Sequence, residues 1–273
     1  MLNRILIAIL GIPILAYVYY YGGVPLLIFV NLVVGIGLHE FFSMVKKSGK
    51  EAYSTFGIIA GLLVVNMTYF SNKLSWKYDD TSLIVMSIII LMIYRVLRNK
   101  VENSSMAIGT TILGVIYVGV FFSKMLSISF LPNGGKLLLT LQVLVWLCDS
   151  FAYFVGLSFG RKFFKRGFSE ISPKKSIEGS IGGAFFTTIA LYVVNHYCKI
   201  FPIEFSVASV IIMGIALSLF IQIGDLAESM FKREFGIKDS SRLLGEHGGI
   251  LDRFDSLIFV LPIVFYFFSS VIY

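Results

Sequence analysis

Nine apolar runs, separated by short polar connections, follow one another along the chain near residues 4–22, 25–44, 55–71, 82–97, 106–130, 137–159, 178–198, 205–224 and 256–272. Each is about long enough to cross the hydrocarbon core of a bilayer as a helix. Inside that core every backbone N–H and C=O must be paired within the protein, which restricts the chain to helices or a closed barrel. Runs of this length predict helices, so the expected fold is all-α: a polytopic integral membrane protein of about nine transmembrane helices. The third run is short and contains glycine, which leaves eight or ten spans as alternatives. The first follows Arg4 and ends in Tyr17, Tyr19, Tyr20 and Tyr21 without a small-residue cleavage site, which predicts a retained helix.

Composition agrees. The 273 residues are 57% hydrophobic and 14% charged, with a mean hydropathy of +0.85, well outside the range of soluble domains. Cys148 and Cys198 each lie in an apolar run and read as small core residues, not as a disulfide framework or metal cluster. The formal charge of +7 does not point to nucleic acid, because the basic residues sit in short loops between spans.

Their placement predicts orientation. Alternate connections divide the basic residues 18 to 4, with Lys124 left inside a span. The richer side holds Arg4, the Lys46–Lys50 and Arg95–Lys100 groups, and the two long connections 160–177 and 225–255. The poorer side holds Lys73, Lys77, Lys136 and Lys199. Positive-inside bias then puts the N-terminus in the cytoplasm and Tyr273 outside, in a multi-pass cell membrane protein whose active site faces the cytoplasm. Three regions are expected: N-terminal helices in 1–75, middle helices with a candidate dimerisation region in 76–160, and a catalytic region in 161–273.

Candidate chemistry concentrates in the last of these. Asp225, Glu228, Ser229 and Lys232 stand at i, i+3, i+4 and i+7, one helix face if the eighth span continues past the hydrocarbon. Asp252 and Asp255 repeat the i, i+3 spacing at the entry to the last span. Two acidic pairs converging from neighbouring helices suit Mg²⁺, a hard cation that shares oxygen ligands with substrate phosphates. For Glu228 and Glu234 a solvated helix face with i, i+4 ion pairs is an equal alternative. Between the pairs lie Lys232, Arg233, Lys238, Asp239 and Arg242, with His247-Gly248-Gly249 ahead of the second pair and Arg253 inside it. Two glycines before a helix start outline an anion cradle. His247 reads equally as a proton donor, a phosphate ligand or a loop residue. His39 and His196 read as packing or interface residues.

The other long connection carries Ser172, Pro173, Lys174, Lys175 and Ser176 ahead of Glu178, Gly179, Gly182 and Gly183. Its glycines serve helix packing, and its lysines are a plausible triphosphate grip. Asp149 is the remaining carboxylate inside a span and a functional candidate by default. No P-loop and no dinucleotide-binding glycine motif occurs in a strand-to-helix setting.

Read together, Ser229-x-Phe231-Lys232-Arg233, Lys238-Asp239-x-Ser241, Leu244-Gly245-x-His247-Gly248-Gly249-Ile250 and Asp252-Arg253-Phe254-Asp255 resemble the signature of the CDP-diacylglycerol synthases, the phosphatidate cytidylyltransferases. Asp149 to Gly156 and Ser172 to Gly179 are also similar to that family, so the likeness spans the C-terminal half, and the first 130 residues match in hydropathy alone. Gly245-Glu246 stands where the family commonly has Pro-Gly. The resemblance implies transfer of a cytidylyl group from CTP to phosphatidate, a membrane lipid, giving CDP-diacylglycerol and pyrophosphate. It further implies Mg²⁺, a second cation such as K⁺ as a further option, and a homodimer. On this reading Asp225 and Asp252, with Glu228 and Asp255, hold metal. Lys174, Lys175, Lys232, Arg233, Lys238 and Arg253 hold phosphates. Asp239 and His247 join the catalytic set, while Asp149, Ser172, Glu178, Ser229, Arg242, Gly248 and Gly249 line the substrate site. A CTP-dependent lipid kinase releasing CDP and a membrane ion or phosphate transporter are the alternatives.

Overall fold

A computed structural model describes residues 2–76, 78–198, 200, 201, 203–241, 243, 245 and 248–272, without the side chains of 2–10 and 272. Lys77, Lys199, Arg242, Leu244, Glu246, His247, Tyr273 and the side chain of Arg4, all named above, lie outside the described residues. All nine runs are helical: α1 (Leu2–Tyr21), α2 (Gly23–Lys47), α3 (Ser54–Leu74), α4 (Asp80–Leu97), α5 (Ser104–Ser129), α6 (Gly134–Phe159), α7 (Ile177–Cys198), α8 (Val207–Glu234) and α9 (Leu251–Ile272). Eight of them, α2 to α9, are long and apolar enough to cross a membrane. The third run, despite its glycines, is one unbroken helix. Among the described residues there is no β-strand, only an isolated bridge between Gly167 and Ser176.

The helices pack in two groups. In one, α6, α7, α8 and α9 lie side by side in chain order; in the other, α2 and α3 pack on α5, which also meets α9. Glycine sets the close approaches. A Cβ on Gly179 would stand 2.6 Å from the Ala152 carbonyl oxygen, and one on Gly182 2.6 Å from Val155, so the glycines after Lys175 are where α7 lies against α6. Residues Val115–Val120 of α5 form a π-helical turn that brings Gly119 against Gly61 of α3, so closely that a Cβ on Gly119 would stand 3.0 Å from the Gly61 Cα.

Ser176 caps α7 by accepting from the Gly179 N–H at 3.1 Å, and this fixes where the loop carrying Lys175 enters the bundle. α8 runs ten residues past the end of its apolar run, to Glu234, so the predicted acidic and basic face is helical. Rings join α2 to this extension: Phe41 meets Phe231 and Phe235 edge to face at 6.0 and 5.9 Å, and Tyr117 of α5 meets Phe231 at 5.3 Å.

One expectation is modified. Cys148 is buried, but Cys198 is exposed, because it sits on the last turn of α7, beyond the packed part of that helix. Lys124, inside a span as read, is buried on α5 and forms an ion pair with Asp80 at the start of α4, which lowers the cost of charge at that depth.

Because Gly119 faces backbone and not a movable side chain, Gly119→Leu must separate α3 from α5. It should destabilise the protein by about 1–3 kcal/mol, read as a lower melting temperature in detergent.

Candidate active site

The charged stretch collects at one end of the bundle, where α8 ends and α9 begins. Glu228 and Lys232 are one turn apart on α8 and form an ion pair at 2.8 Å. The same Lys232 Nζ lies 2.6 Å from Asp252 Oδ1 on α9. Asp252 Oδ2 accepts three bonds: from the Ser240 N–H at 2.9 Å, the Ser240 hydroxyl at 2.8 Å and the Gly249 N–H at 2.7 Å. A lysine buried between two carboxylates keeps its charge, since each partner offsets the desolvation of the other. Glu228 Oε1, the Tyr117 hydroxyl and Ser256 Oγ are also buried, with no hydrogen-bond partner among the described residues.

Beside this network Lys175, from the connection between α6 and α7, lies 2.6 Å from Asp225 Oδ2. Ser229 donates to Asp225 Oδ1 at 3.4 Å, a long contact. Asp149 on α6 is near enough to Asp255, Asp225 and Lys175 to interact with all three, and Tyr117 is near Glu228, Asp255 and Asp225. Three helices and one loop thus bring Asp149, Lys175, Asp225, Glu228, Ser229, Lys232, Asp252 and Asp255 into one electrostatic neighbourhood. Carboxylates outnumber lysines in it.

Other predicted residues lie nearer the surface or in their own loop. Arg233, Lys238, Asp239 and Arg253 are exposed at the rim, and Arg233 donates to the Ile237 carbonyl at 3.4 Å. Lys174 is exposed, and Ser172 contributes its carbonyl to the Lys175 N–H at 3.0 Å. Glu178 turns to its own loop: Oε1 accepts from the Phe163 and Phe164 N–H groups, both at 2.9 Å. The Gly248-Gly249 turn differs from the open anion cradle expected. Gly248 has φ +77°, and a Cβ on Gly249 would stand 2.1 Å from Ser240 Oγ and 2.5 Å from Glu40 Oε1, so glycine here admits protein groups.

Glu40 was missed by the sequence reading. This buried α2 carboxylate accepts from the Ser241 hydroxyl at 2.6 Å and the Ile250 N–H at 3.0 Å through Oε1. Through Oε2 it accepts from the Leu251 N–H at 2.9 Å and lies 3.1 Å from the Ser240 hydroxyl, whose single proton it shares with Asp252 Oδ2. Its signal was a lone acid inside an apolar run, in the half of the chain where the sequence reading recognised no family motif, although the family model covers that half as well.

Fold and site together define an all-helical, multi-pass membrane protein with an acid-rich ionic centre at one end of its bundle. The model of the cytidylyltransferase family matches residues 2–271, and the chain belongs to that family. It is 37% identical over 265 residues to a phosphatidate cytidylyltransferase of Staphylococcus aureus, covering 96% of both chains. It is 32% identical over 271 residues, 97% of both, to the protein of that name from Bacillus subtilis. The chain is a nucleotidyltransferase.

Lys232 is the shared partner of two carboxylates. Lys232→Ala leaves Glu228 and Asp252 facing each other uncompensated, and should cost about 3–5 kcal/mol of stability, measured as a fall in melting temperature. Lys232→Arg, which keeps the charge, should recover most of it.

Proposed function

We propose that this chain is a phosphatidate cytidylyltransferase, making CDP-diacylglycerol and pyrophosphate from CTP and phosphatidate. The observation that carries the reading is the acid-rich centre with two lysines, held between helices inside a chain that belongs to the cytidylyltransferase family and matches relatives of that name over nearly its whole length.

In the reaction a phosphate oxygen of phosphatidate attacks the α-phosphorus of CTP. A P–O bond forms there as the bond from the α-phosphorus to the β-bridging oxygen breaks, and pyrophosphate leaves with the electron pair. The nucleophile is already ionised at neutral pH, so the protein's work is positioning and neutralising charge. Lys175 and Lys232 are in direct contact with the acids, and they are assigned to phosphate oxygens of the two substrates. Arg233, Lys238 and Arg253 form a basic rim over which an anionic nucleotide approaches. Tyr117 and Ser229 contribute hydroxyls beside the same acids.

Mg²⁺ fits the residues present. The donors are hard oxygens, and Glu228 Oε1 is a buried carboxylate oxygen without a hydrogen-bond partner among the described residues. No three acids there are spaced to enclose a cation, as suits an ion that takes one or two carboxylates and completes its shell with phosphate oxygens and water. One or two of Asp225, Asp255 and Glu228 would hold it. Asp252, earlier paired with Asp225 in that role, is held by four contacts from Lys232, Ser240 and Gly249, against two on Asp225, one of them the long contact from Ser229, and its proposed task is to keep Lys232 in place. When bound, the ion neutralises charge on the phosphate oxygens. K⁺ is retained as the second cation of the proposal.

The basic residues on the site's end of the bundle support a cytoplasmic active site in the cell membrane. α4, the span least covered by its neighbours, supports a homodimer formed through the middle region.

The test is purified protein in detergent with phosphatidate and α-labelled CTP across a Mg²⁺ titration. Label should enter lipid, pyrophosphate should appear, and chelation should abolish both; labelled CDP with no label in lipid would indicate a kinase. Asp225→Asn should lower turnover about a hundredfold or more at any Mg²⁺ concentration, whereas near-normal turnover by the folded variant would remove Asp225 from the metal set.

A further inference from the structure

We propose that Glu40, on α2, is a positioning residue that sets the geometry of the catalytic centre from the opposite end of the chain. Its four contacts reach both sides of the segment joining α8 to α9: Ser240 and Ser241 on one side, Ile250 and Leu251 on the other. The Leu251 N–H opens α9 and the Ile250 N–H immediately precedes it, at the helix end that has unpaired donors and favours negative charge. Glu40 is therefore the cap of α9, supplied by a helix about 210 residues away in sequence.

The cap is coupled to the centre through Ser240. Its hydroxyl lies 3.1 Å from Glu40 Oε2 and 2.8 Å from Asp252 Oδ2, while the Ser240 N–H holds the same Asp252 oxygen. Asp252 holds Lys232, and Lys232 holds Glu228. Moving Glu40 therefore moves the end of α9 and the lysine between the acids, so that Glu40 acts through these groups. Phe41, the next residue, fixes α2 to α8 through Phe231 and Phe235, so the carboxylate has a rigid base. The functional unit is thus larger than the C-terminal region 161–273, since it needs α2 as well as α6.

Chemistry predicts which substitutions matter. Each Glu40 oxygen faces one hydroxyl and one backbone N–H, so in Glu40→Gln the amide nitrogen opposes a backbone donor in either orientation. Glu40→Asp keeps the charge but shortens the reach by one methylene. The kinetic arm of the test rests on the transferase reading above; the exchange arm does not.

In steady-state assays well below the melting temperature, kcat per folded molecule should fall in the order Glu40, Asp, Gln. Gln should lose about tenfold or more, with KM for CTP and for phosphatidate within about threefold of wild type. In hydrogen–deuterium exchange without substrate, the peptide covering 248–255 should exchange at least about tenfold faster in Glu40→Gln, while peptides from the middle of α6 stay unchanged. Wild-type kcat in the folded Gln variant, or unchanged exchange at 248–255, overturns the proposal. So does a kcat loss that disappears once rates are normalised to folded protein, which marks Glu40 as a stability residue only. If Glu40→Gln does not fold, Ser241→Ala, which removes one donor and leaves the charge, decides by the same two readouts. Wild-type protein inactive on CTP and phosphatidate sinks the substrate reading and leaves the exchange result to judge Glu40.

Discussion

Everything at the working end of this molecule depends on one buried cation. Lys232 lies between Glu228 and Asp252, and none of the three is tolerable in an apolar bundle without the others. Their mutual attraction fixes the separation of α8 and α9 where the two helices diverge into a loop. It also orients Asp252, whose second oxygen gathers Ser240 and Gly249 and so closes the loop on itself. Charge that would be a liability in a lipid-embedded fold here specifies one arrangement of two helix ends.

The remainder of the fold supports that arrangement. Gly179 and Gly182 allow α7 to lie on α6, and the Ser176 cap then delivers Lys175 to Asp225. Phe41, Phe231, Phe235 and Tyr117 hold α2 and α5 against the polar extension of α8. Through these contacts α2 brings Glu40 to the first turn of α9. The resulting centre has more carboxylates than lysines, which suits the proposed binding of phosphates together with Mg²⁺: acids alone would repel a triphosphate, and lysines alone would retain a pyrophosphate product.

Much of this was legible in the chain, for definite reasons. The nine helices follow from apolar length, since a bilayer leaves unpaired backbone no alternative. Asp225, Glu228, Ser229 and Lys232 could be placed on one face because the 3.6-residue period continues without proline or glycine after Gly224 to the end of α8. Lys175 was read as one of two lysines gripping a triphosphate; the partner it has in the fold, Asp225, is fifty residues away, and nothing local names it. The Gly248-Gly249 pair was read as an anion cradle, which is what glycines before a helix start offer an incoming ligand. In the folded chain those donors meet Asp252 and Glu40.

The sequence by itself determined the helices, the face of α8 that carries charge and the polar connections that hold the chemistry. Each of these follows from periodicity or from the cost of exposing backbone and charge to hydrocarbon, both of which act within a few residues. Tertiary structure alone decided which opposite charges meet, that Glu178 serves its own loop and that Glu40 caps α9. Those pairings depend on the relative placement of α2, α6, α8 and α9, which is set by packing between segments distant in sequence, and a carboxylate in an apolar run carries no local mark of the donor it will find.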